Sequence, residues 1–258
     1  MILTGDYHTH TPYSHGKNTV EENVAQAKAM GLKEIAITDH GFSHVVFGLR
    51  RRKMDDYTAE CAAAEKEFGV KVLVGIEANI RGYSGKSDLT EKDYEKFDVY
   101  LCGNHVFIFY KPFFDHIRYF WGNWANRNIM HHHTKREIQR NTEAYINVIK
   151  KNPLDAVTHL SFLCPCNTLE VAKCAADYGT YIELNSKKTH LTDEELAEMA
   201  IKTDVRFIVN SDAHSASRVG DTKRVDEQLA RIHFPLDRID NIEGRKPTFR
   251  FAEFKKHM

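Results

Sequence analysis

The chain has 258 residues, 42% of them hydrophobic and 28% charged, a composition typical of globular proteins and unlike that of disordered or fibrous chains. Its 36 basic and 36 acidic residues cancel, which argues against general binding of polymeric nucleic acid. No stretch approaches the roughly 18 consecutive apolar residues of a membrane span, so no membrane partner is expected. No signal-peptide pattern precedes the first strand pattern, and five cysteines, an odd number, favour reduced thiols. Together these features predict a cytoplasmic protein.

Seven β-prone runs alternate with amphipathic helices along the chain. The predicted strands span about 6–10, 34–38, 70–76, 98–102, 154–158, 180–184 and 205–210. Capping sequences such as Thr19-Val-Glu-Glu22 and Thr192-Asp-Glu-Glu195 mark helix starts, because the threonine and the glutamate three residues later bond free backbone N–H groups. The predicted helices follow Thr19, Thr134, Asn167 and Thr192, or span 57–68 and 221–232.

This alternation makes seven βα units with no break in composition between them. Strands that alternate with helices pair in parallel through right-handed crossovers. Such a chain folds either as a closed barrel or as an open, doubly wound sheet. Polar residues of the metal-ligand type follow nearly every strand, and only a barrel brings all the C-terminal strand ends around one axis. The sequence therefore favours the barrel.

Candidate metal ligands stand at the ends of six of these strands. His8 and His10 project from the same face of the first strand, because side chains alternate along a strand. The others are His40, Glu77, His105, His159, Asp212 and His214. Imidazole nitrogens and carboxylate oxygens suit zinc, manganese or iron. Without metal, the same groups would form an unusually large acid–base network, which is the alternative interpretation.

Divalent ions would give each of these groups a role. Glu77 has two carboxylate oxygens and is suited to bridging two ions. A hydroxide shared by ions roughly 3.5–4 Å apart is a strong nucleophile at neutral pH, and the other ion takes up charge that develops on substrate oxygens. This chemistry suits the hydrolysis of phosphate esters, because phosphoryl transfer needs mainly positioning and neutralisation of charge.

The order and spacing of these motifs resemble those of the PHP (polymerase and histidinol phosphatase) family over essentially the whole chain. The motifs that carry the resemblance are His8-Thr-His10, Thr38-Asp-His40-Gly41, Gly75-Ile-Glu77-Ala-Asn79, Gly103-Asn-His105, Thr158-His159 and Ser211-Asp-Ala-His214. The chain is most similar to the stand-alone bacterial three-metal phosphatases of the YcdX type. The resemblance implies a distorted (βα)7 barrel with its metal site at the C-terminal strand ends, and residues 1–258 as a single PHP metallohydrolase domain.

The resemblance also implies three divalent metal ions, Zn, Mn or Fe, held by nine residues. The first ion is expected on His8, His10, Glu77 and Asp212, the second on Glu77, His105 and His159, and the third on His15, His40 and His214. His15 stands one residue closer to His10 than in the relatives, so its loop is expected to bend differently. Asn185 resembles a position near the site and is given no ligand role.

The predicted function is that of a metal-dependent phosphoesterase that hydrolyses a small phosphorylated substrate with a metal-bridging hydroxide. Glu77 is predicted to hold the metal bridge, and His214 or His15 to protonate the leaving oxygen. Arg218 is predicted to contact the phosphate. Three alternatives stay open: a histidinol-phosphate phosphatase, a nucleotide phosphatase or nuclease, and a metal-binding regulatory module without catalysis.

Four other features have less direct interpretations. Residues 106–133 form an aromatic-rich insertion that is either core or a lid over the substrate. The histidines 131–133 at its end are interpreted as solvated or as part of the lid. The basic run Arg50–Lys53 is interpreted as a solvated patch placed to attract an anionic substrate. Cys164-Pro-Cys166 is predicted to be a turn with inert thiols.

Overall fold

Seven short strands form one parallel sheet in the order of the chain. The computed structural model describes residues 1–110 and 113–258. The strands are β1 (Gly5–Asp6), β2 (Glu34–Ile37), β3 (Lys71–Asn79), β4 (Val99–Gly103), β5 (Ala156–Val157), β6 (Tyr181–Asn185) and β7 (Phe207–Asn210). Each strand pairs in parallel with the next one along the chain.

The sheet is a nearly closed barrel rather than an open, doubly wound sheet. Just beyond the ends of β1 and β7, the His10 N–H donates to the Ala213 carbonyl at 2.8 Å, and the Ala213 N–H donates to the His8 carbonyl at 3.2 Å. These bonds bring the first and last strands together around the same axis. The predicted (βα)7 barrel is therefore confirmed.

Helices lie between the strands, where they cover the outside of the barrel. They are α1 (Val20–Ala29), α2 (Met54–Phe68), α3 (Phe113–Asp115), α4 (Gly122–Ala125), α5 (Lys135–Lys151), α6 (Thr168–Tyr178), α7 (Asp193–Lys202), α8 (Lys223–Ile232) and α9 (Arg250–Lys255). Thr19 and Thr192 form the predicted capping boxes, and Asn167 accepts a hydrogen bond from the Glu170 N–H. The local capping sequences thus correctly predicted where these helices begin.

The barrel interior is apolar at one end and polar at the other. Alternate residues along each strand face the interior. Tyr181 belongs to a buried apolar cluster with side chains of the neighbouring strands, whereas Glu183 and Asn185, two and four residues later on β6, are buried polar residues. The polar end is the C-terminal end of the strands, and this is where the candidate metal ligands lie.

Two strand predictions need correction. The first strand, predicted over 6–10, is assigned only at Gly5–Asp6, because the next N–H, that of Tyr7, donates to the side chain of Asn210 on β7 at 3.0 Å instead of to a backbone carbonyl. The third strand was predicted to end before Glu77, but β3 continues to Asn79. Glu77 therefore points into the barrel from within a strand, which holds it more rigidly than a loop would.

The aromatic insertion is largely helical between residues 113 and 130. Short α-helical pieces alternate with π-helical turns at His116–Trp121 and Asn126–Met130. We call residues 113–130 the aromatic helix. Lys111 and Pro112 of the predicted insertion lie outside the described residues. Tyr119 is fully buried in the main core. Part of the insertion is therefore core, which was one of the two alternatives predicted for it.

Two general expectations can be compared with the structure. Within residues 1–110 and 113–258, no helix combines the length and the apolar character needed to cross a membrane. All five cysteines are free and buried. Burial raises the pKa of Cys164 and of Cys166 to about 12, so both thiols stay protonated at neutral pH. This agrees with the prediction of inert thiols in that turn.

Candidate metal centre

Glu77 is the centre of the candidate site, and its side chain is completely buried. Its Oε1 lies 2.7 Å from Nε2 of His159 and 3.2 Å from Nε2 of both His8 and His105. These rings come from the ends of β5, β1 and β4. Three imidazoles that are far apart in the sequence therefore converge on one carboxylate oxygen.

The second oxygen of Glu77 faces a different pair of histidines. Oε2 lies 2.8 Å from Nδ1 of His40 and 3.6 Å from Nε2 of His10. Ligand atoms of His40, Glu77 and His105 all lie within 4.8 Å of one another, as do those of His8, His10 and Glu77. Glu77 thus belongs to two potential ion-binding groups, as its predicted bridging role requires.

Asp212 extends the cluster towards solvent. Its Oδ1 lies 3.2 Å from Nδ1 of His214, 3.4 Å from Nε2 of His10 and 3.8 Å from Nε2 of His8. Ligand atoms of His10, His40 and His214 form a third group within 4.8 Å. The φ angle of Asp212 is 49°, in the left-handed region that non-glycine residues seldom adopt. Such backbone strain is common where a side chain is held for function.

His15 lies at the outer edge of the cluster. Its ring stacks on that of His40 with centroids 4.8 Å apart, and its centroid is 4.3 Å from that of His214. The residue is exposed, unlike His40. In the group of ligand atoms that includes His40 and His214, the structure places His10 where the resemblance implied His15. All nine predicted ligands nevertheless meet at this end of the barrel.

Several buried atoms of the cluster make no hydrogen bond of good geometry, although Nδ1 of His40 and Oε2 of Glu77 lie 2.8 Å apart. Among the described residues these are Nε2 of His8, both ring nitrogens of His10, Nδ1 of His40, Oε2 of Glu77, Nε2 of His105 and Nδ1 of His159. Buried polar atoms are nearly always hydrogen-bonded, so a concentration of unpaired ones needs an explanation. Nitrogen and oxygen lone pairs that converge on one small space are the donors that divalent ions require. The residues present therefore fit a multinuclear metal centre.

The electrostatics of the metal-free cluster give its histidines different protonation states. Burial opposes protonation of His8 and His159, yet Glu77 and Glu183 raise the pKa of both rings, so a metal would displace a proton from each. Burial, with a smaller contribution from His105, lowers the pKa of His40 to about 3, and burial with His214 and His40 lowers the pKa of His10 well below its usual value. Burial opposes ionisation of Glu77, yet the surrounding imidazoles hold its pKa well below the usual range. Neutral imidazoles and an ionised carboxylate are the metal-binding forms.

Glu183 stands behind His8 and was not predicted from the sequence. Its Oε1 is 2.6 Å from Nδ1 of His8, and its Oε2 accepts the His159 N–H at 2.9 Å. The side-chain amides of Asn185 and Asn210 donate to the same carboxylate at 3.0 Å. A carboxylate behind a ligating histidine fixes the ring orientation and tautomer. The available signal was an acidic residue in the middle of a buried parallel strand.

Other polar residues hold the predicted ligands in place. Oδ1 of Asn79 lies 2.8 Å from Nδ1 of His105, and the Thr158 hydroxyl donates to Oε1 of Glu77 at 2.9 Å. Asn185 donates to Oδ2 of Asp212 at 3.2 Å. Asn185 thus contacts a candidate ligand through its amide N–H.

A cavity of about 290 Å³ opens from the cluster to solvent. This volume is near the lower limit of small-molecule sites, roughly 300 Å³. Three aromatic rings (Phe47, Phe107 and Phe162) and two lysines (Lys187 and Lys188) line it together with the histidines. The cavity therefore combines a cationic side, an apolar side and a ligand-rich floor.

Lys187 is a second residue that the sequence did not single out. Its Nζ lies 3.4 Å from Oδ1 of Asp212 and 3.0 Å from Nδ1 of His214. Arg218, the predicted phosphate contact, donates instead to the Ser186 carbonyl at 3.1 Å and pairs with Asp221 at 3.0 Å. Arg218 is not among the described residues that line the cavity. The structure thus brings Lys187, rather than Arg218, to the mouth of the site.

His44 also lines the cavity and was not predicted. Its ring stacks on that of His40 with centroids 5.4 Å apart, and its Nδ1 accepts the Phe47 N–H at 3.0 Å. Burial, together with His105, lowers the pKa of His44 to about 4. The neutral ring must carry its proton on Nε2, because Nδ1 is an acceptor. His44 is therefore a fixed hydrogen-bond donor beside the cluster.

The histidines 131–133 lie apart from this cluster. His131 and His132 are exposed, and Nδ1 of His133 lies 3.1 Å from Oε2 of Glu137. None of the three belongs to a group of potential metal ligands found among the described residues. This agrees with their interpretation as solvated residues.

The fold and the site together define a class: parallel βα barrels whose strand ends carry a cluster of histidines and carboxylates suited to several metal ions. The family model described as the PHP domain matches residues 6–187. The chain belongs to the PHP family. The resemblance inferred from its motifs is thereby confirmed.

Two similar proteins are described as probable phosphatases. One, from Proteus mirabilis, is 32% identical over 93% of this chain and 91% of its own length. The other, from Acetivibrio thermocellus, is 30% identical over 95% of this chain and 94% of its own length. Both alignments extend over nearly the whole of each protein.

A solved structure has the same fold. The histidinol phosphate phosphatase of Lactococcus lactis, crystallised with zinc, L-histidinol and phosphate, matches with a TM-score of 0.62 and 16% identity. The match covers 96% of this chain and 100% of that one. At this level of identity the likeness concerns the fold.

Proposed function

We propose that this protein is a metal-dependent phosphomonoester hydrolase with a trinuclear centre. The observation that carries the proposal is the set of three overlapping ligand groups around Glu77, in which buried nitrogen and oxygen atoms lack hydrogen bonds. The three groups share His10, His40 and Glu77. They therefore suit three divalent ions that lie next to one another better than three ions at separate sites. The metals would be zinc, manganese or iron, since all three accept this donor set.

The nine ligands are proposed to divide as the family resemblance implies. His8, His10, Glu77 and Asp212 would hold the first ion, Glu77, His105 and His159 the second, and His15, His40 and His214 the third. Bound ions would supply an ionised water as nucleophile and positive charge for the phosphate oxygens. His10 lies close to His214, and this supports His10 as an additional ligand of the third ion.

The chain's own residues would orient the substrate and supply protons. The neighbouring rings partly remove His15 from water, and this desolvation, together with His214 and Lys187, lowers its pKa to about 4. The ring is therefore neutral at pH 7 and suited to a ligand role. His214 is proposed both to bind the third ion through one ring nitrogen and to donate a proton to the leaving oxygen from the other. The N–H at Nε2 of His44 is fixed by the Phe47 backbone and would donate to a substrate oxygen in the cavity.

Lys187 is proposed to bind the substrate phosphate. In the structure its ammonium group contacts Asp212 and His214, which are both proposed ligands. Once these two residues bind ions, the ammonium group loses its acceptors and lies beside positive charge. A phosphate anion between Lys187 and the ions would neutralise both. Arg218 would support phosphate binding only indirectly, because it donates to the carbonyl of Ser186 and so holds the backbone next to Lys187.

The substrate is proposed to be a small phosphomonoester. The cavity of about 290 Å³ and the zero formal net charge weigh against a polymeric nucleic acid. A regulatory module without catalysis is disfavoured because all nine ligand positions are filled by side chains that bind metals. Histidinol phosphate, which the Lactococcus lactis protein is named for, stays an alternative substrate. Residues 1–258 are proposed to act as one domain, with residues 106–133 beside the mouth of the site.

Turnover of p-nitrophenyl phosphate before and after chelation tests this function. Treatment with a chelator should abolish activity, and manganese or zinc should restore it. Glu77→Gln should lower kcat by at least roughly 1,000-fold and reduce the bound metal, because Glu77 contacts two ligand groups. The control is Glu67→Gln, an exposed change on α2. A metal-independent activity, or a fully active Glu77→Gln protein, would contradict the proposal.

A further inference from the structure

The aromatic helix has its polar side inside and its apolar side outside. Asp115 is buried and accepts the Tyr83 N–H at 2.9 Å, and the buried Tyr119 hydroxyl donates to Asn104 at 2.7 Å. The buried Asn123 donates to Asn141 at 3.0 Å. A surface helix usually has the opposite arrangement, with apolar residues towards the core. The outer side of this helix therefore needs an explanation other than packing within the chain.

Large apolar side chains are concentrated on this outer side and next to it. Of the 18 exposed large hydrophobic residues in the described part of the chain, eleven lie here. They are Val45, Val46, Phe47, Phe107, Phe109, Phe114, Ile117, Trp121, Trp124, Ile129 and Met130. We call this set the apolar face. It includes both tryptophans of the protein.

Hydrogen bonds and a shared cavity join the apolar face into one surface. The Val45 N–H donates to the Phe107 carbonyl at 2.8 Å, and the Phe109 N–H donates to the Ser43 carbonyl at 2.9 Å. A small cavity between the aromatic helix and the barrel is lined by Val106 and Trp124 together. These contacts place the segments around Val45, Phe107 and Trp124 next to one another, between the aromatic helix and the mouth of the metal site.

The apolar face is too large to be an ordinary feature of a monomer. Large aromatic side chains each have roughly 150–250 Å² of surface, and the exposed fractions here run from 40% to 71%. The face therefore exposes on the order of 1,000 Å² of side-chain surface. The largest apolar patch on a typical monomer is about 300–600 Å². A standard protein interface buries about 800 Å² on each partner, which this face supplies.

The composition of the surface also fits a protein partner. Between residues 106 and 130 the only acidic residue is Asp115, which is buried, and the exposed charges include Arg118 and Arg127. The cores of protein interfaces are rich in aromatic residues, methionine and arginine and poor in lysine and carboxylates. The formal net charge of the chain is zero, so two copies would meet without long-range repulsion.

We propose that the apolar face binds a second copy of this chain. The area of the face matches what a stable dimer needs, and identical chains most often associate through one shared, self-complementary surface. Phe47 and Phe107 belong both to this face and to the lining of the cavity. The second copy would therefore also border the mouth of the metal site. This proposal does not depend on the reaction that the site catalyses.

Sedimentation of the metal-loaded full chain, combined with tryptophan fluorescence, tests the proposal. The wild-type protein should be dimeric or larger, and dilution to monomer should shift the tryptophan emission to the red. Ile117→Glu and Ile129→Glu should each weaken association by about 30-fold, the effect of an interface hot spot, with an unchanged circular dichroism spectrum. Ile201→Glu is the matched control, because Ile201 is 82% exposed on α7, away from the face.

Three results would overturn the proposal. One is a wild-type protein that stays monomeric at high concentration. A second is an oligomer that both glutamate variants leave intact, because its contacts would then lie elsewhere. The third is a monomer that co-sediments with phosphatidylglycerol vesicles and loses this binding in Ile117→Glu, because the occupant would then be a lipid surface.

Discussion

Oε1 of Glu183 lies 2.6 Å from Nδ1 of His8 and holds that ring with its Nε2 towards Glu77. Every polar contact of Glu183 that the described residues provide comes from a donor or from His8. An amide in its place would point an NH2 group at other donors. Glu183 is thus fitted to this site as a carboxylate.

Glu183→Gln should therefore weaken metal binding. Removing a carboxylate behind a ligating histidine typically lowers metal affinity by about 10–100-fold. Competition against a chromophoric chelator would measure this loss in the purified variant. Glu194→Gln, an exposed change on α7, is the control. Unchanged metal affinity in Glu183→Gln would show that Glu183 does not position His8.

Lys187→Met should weaken phosphate binding while leaving the metals in place. A hydrogen bond to a charged group contributes about 1.5–3 kcal/mol, so KM for p-nitrophenyl phosphate should rise roughly 10–100-fold. The inhibition constant of inorganic phosphate should rise by the same factor, and Lys187→Arg should restore much of the loss. Lys173→Met on α6 is the control. If metal content falls instead, Lys187 supports the ligands and does not bind phosphate.

Phosphate binding can be measured without turnover, so this result is separate from the test of catalysis. Calorimetric titration of the metal-loaded protein with inorganic phosphate would report the contribution of Lys187 even if no ester substrate were hydrolysed. Equal phosphate affinities for the wild type and Lys187→Met would exclude the proposed contact.

Gly103→Ala should displace the side chain of His159 from its position in the metal centre. A methyl group at Gly103, the last residue of β4, would come within 2.6 Å of Cε1 of His159 and still closer to the Thr158 hydroxyl, which donates to Glu77. Both side chains would have to shift, and this would disturb their contacts with Glu77, of which the one to His159 is now 2.7 Å long. We expect loss of metal and at least roughly 100-fold lower activity, since a small misplacement at a site of this kind has large effects.

Gly122→Ala is the matched control for that substitution. A methyl group at Gly122 meets nothing within 4 Å, and this residue begins α4. Alanine should stabilise a helical position by about 0.5–1 kcal/mol relative to glycine. If Gly103→Ala retained wild-type metal content and activity, the packing of His159 against β4 would not matter for the site.

Asp155 should make stability depend on pH. Its two carboxylate oxygens accept the Tyr100 and Phe251 N–H groups at 2.8 Å, and the side chain is completely buried. Burial raises its pKa to about 7, against about 3.9 in an unfolded chain. The folded state therefore binds a proton that the unfolded state releases between about pH 4 and 7. Stability from this group is complete below pH 4 and is lost as the pH rises through 7.

Urea unfolding at pH 5 and pH 8 would measure this effect in metal-free protein. The free energy of unfolding of the wild type, relative to Asp155→Asn, should fall by about 2–3 kcal/mol between the two pH values. Asparagine does not titrate, so other groups cancel in the comparison. Parallel pH profiles for the two proteins would show that Asp155 keeps an ordinary pKa when folded.

The sequence was most informative where structure is local or where the chain topology repeats. Thr19, Asn167 and Thr192 marked helix starts because capping involves residues only three positions apart. Ligand-type residues such as Glu77 and His159 could be expected to meet, because all C-terminal strand ends of a barrel surround one axis. The fold class and the meeting of the strand-end residues therefore followed from the chain itself, whereas the family and the set of nine candidate ligands were implied by the resemblance of the motifs.

Other features depended on contacts that sequence spacing does not encode. Glu183 and His8 are 175 residues apart, and their contact at 2.6 Å exists only because β6 and β1 face the same interior. Arg218 was the predicted phosphate contact, but it bonds the Ser186 carbonyl and Asp221 and does not line the cavity, whereas Lys187 does. The direction in which a long side chain points is decided by its partners, not by its position along the chain.

The aromatic helix shows the same division most clearly. Its composition alone is compatible with a core segment or with a lid. Apolar side chains indicate burial, but they do not identify the surface that buries them. Only the tertiary structure shows that Asp115, Tyr119 and Asn123 face inwards while Phe114, Ile117 and their neighbours remain exposed. Local patterns thus determined the secondary structure and the chemistry of the strand ends. Long-range packing decided which side chains support that chemistry and which surface is left for a partner.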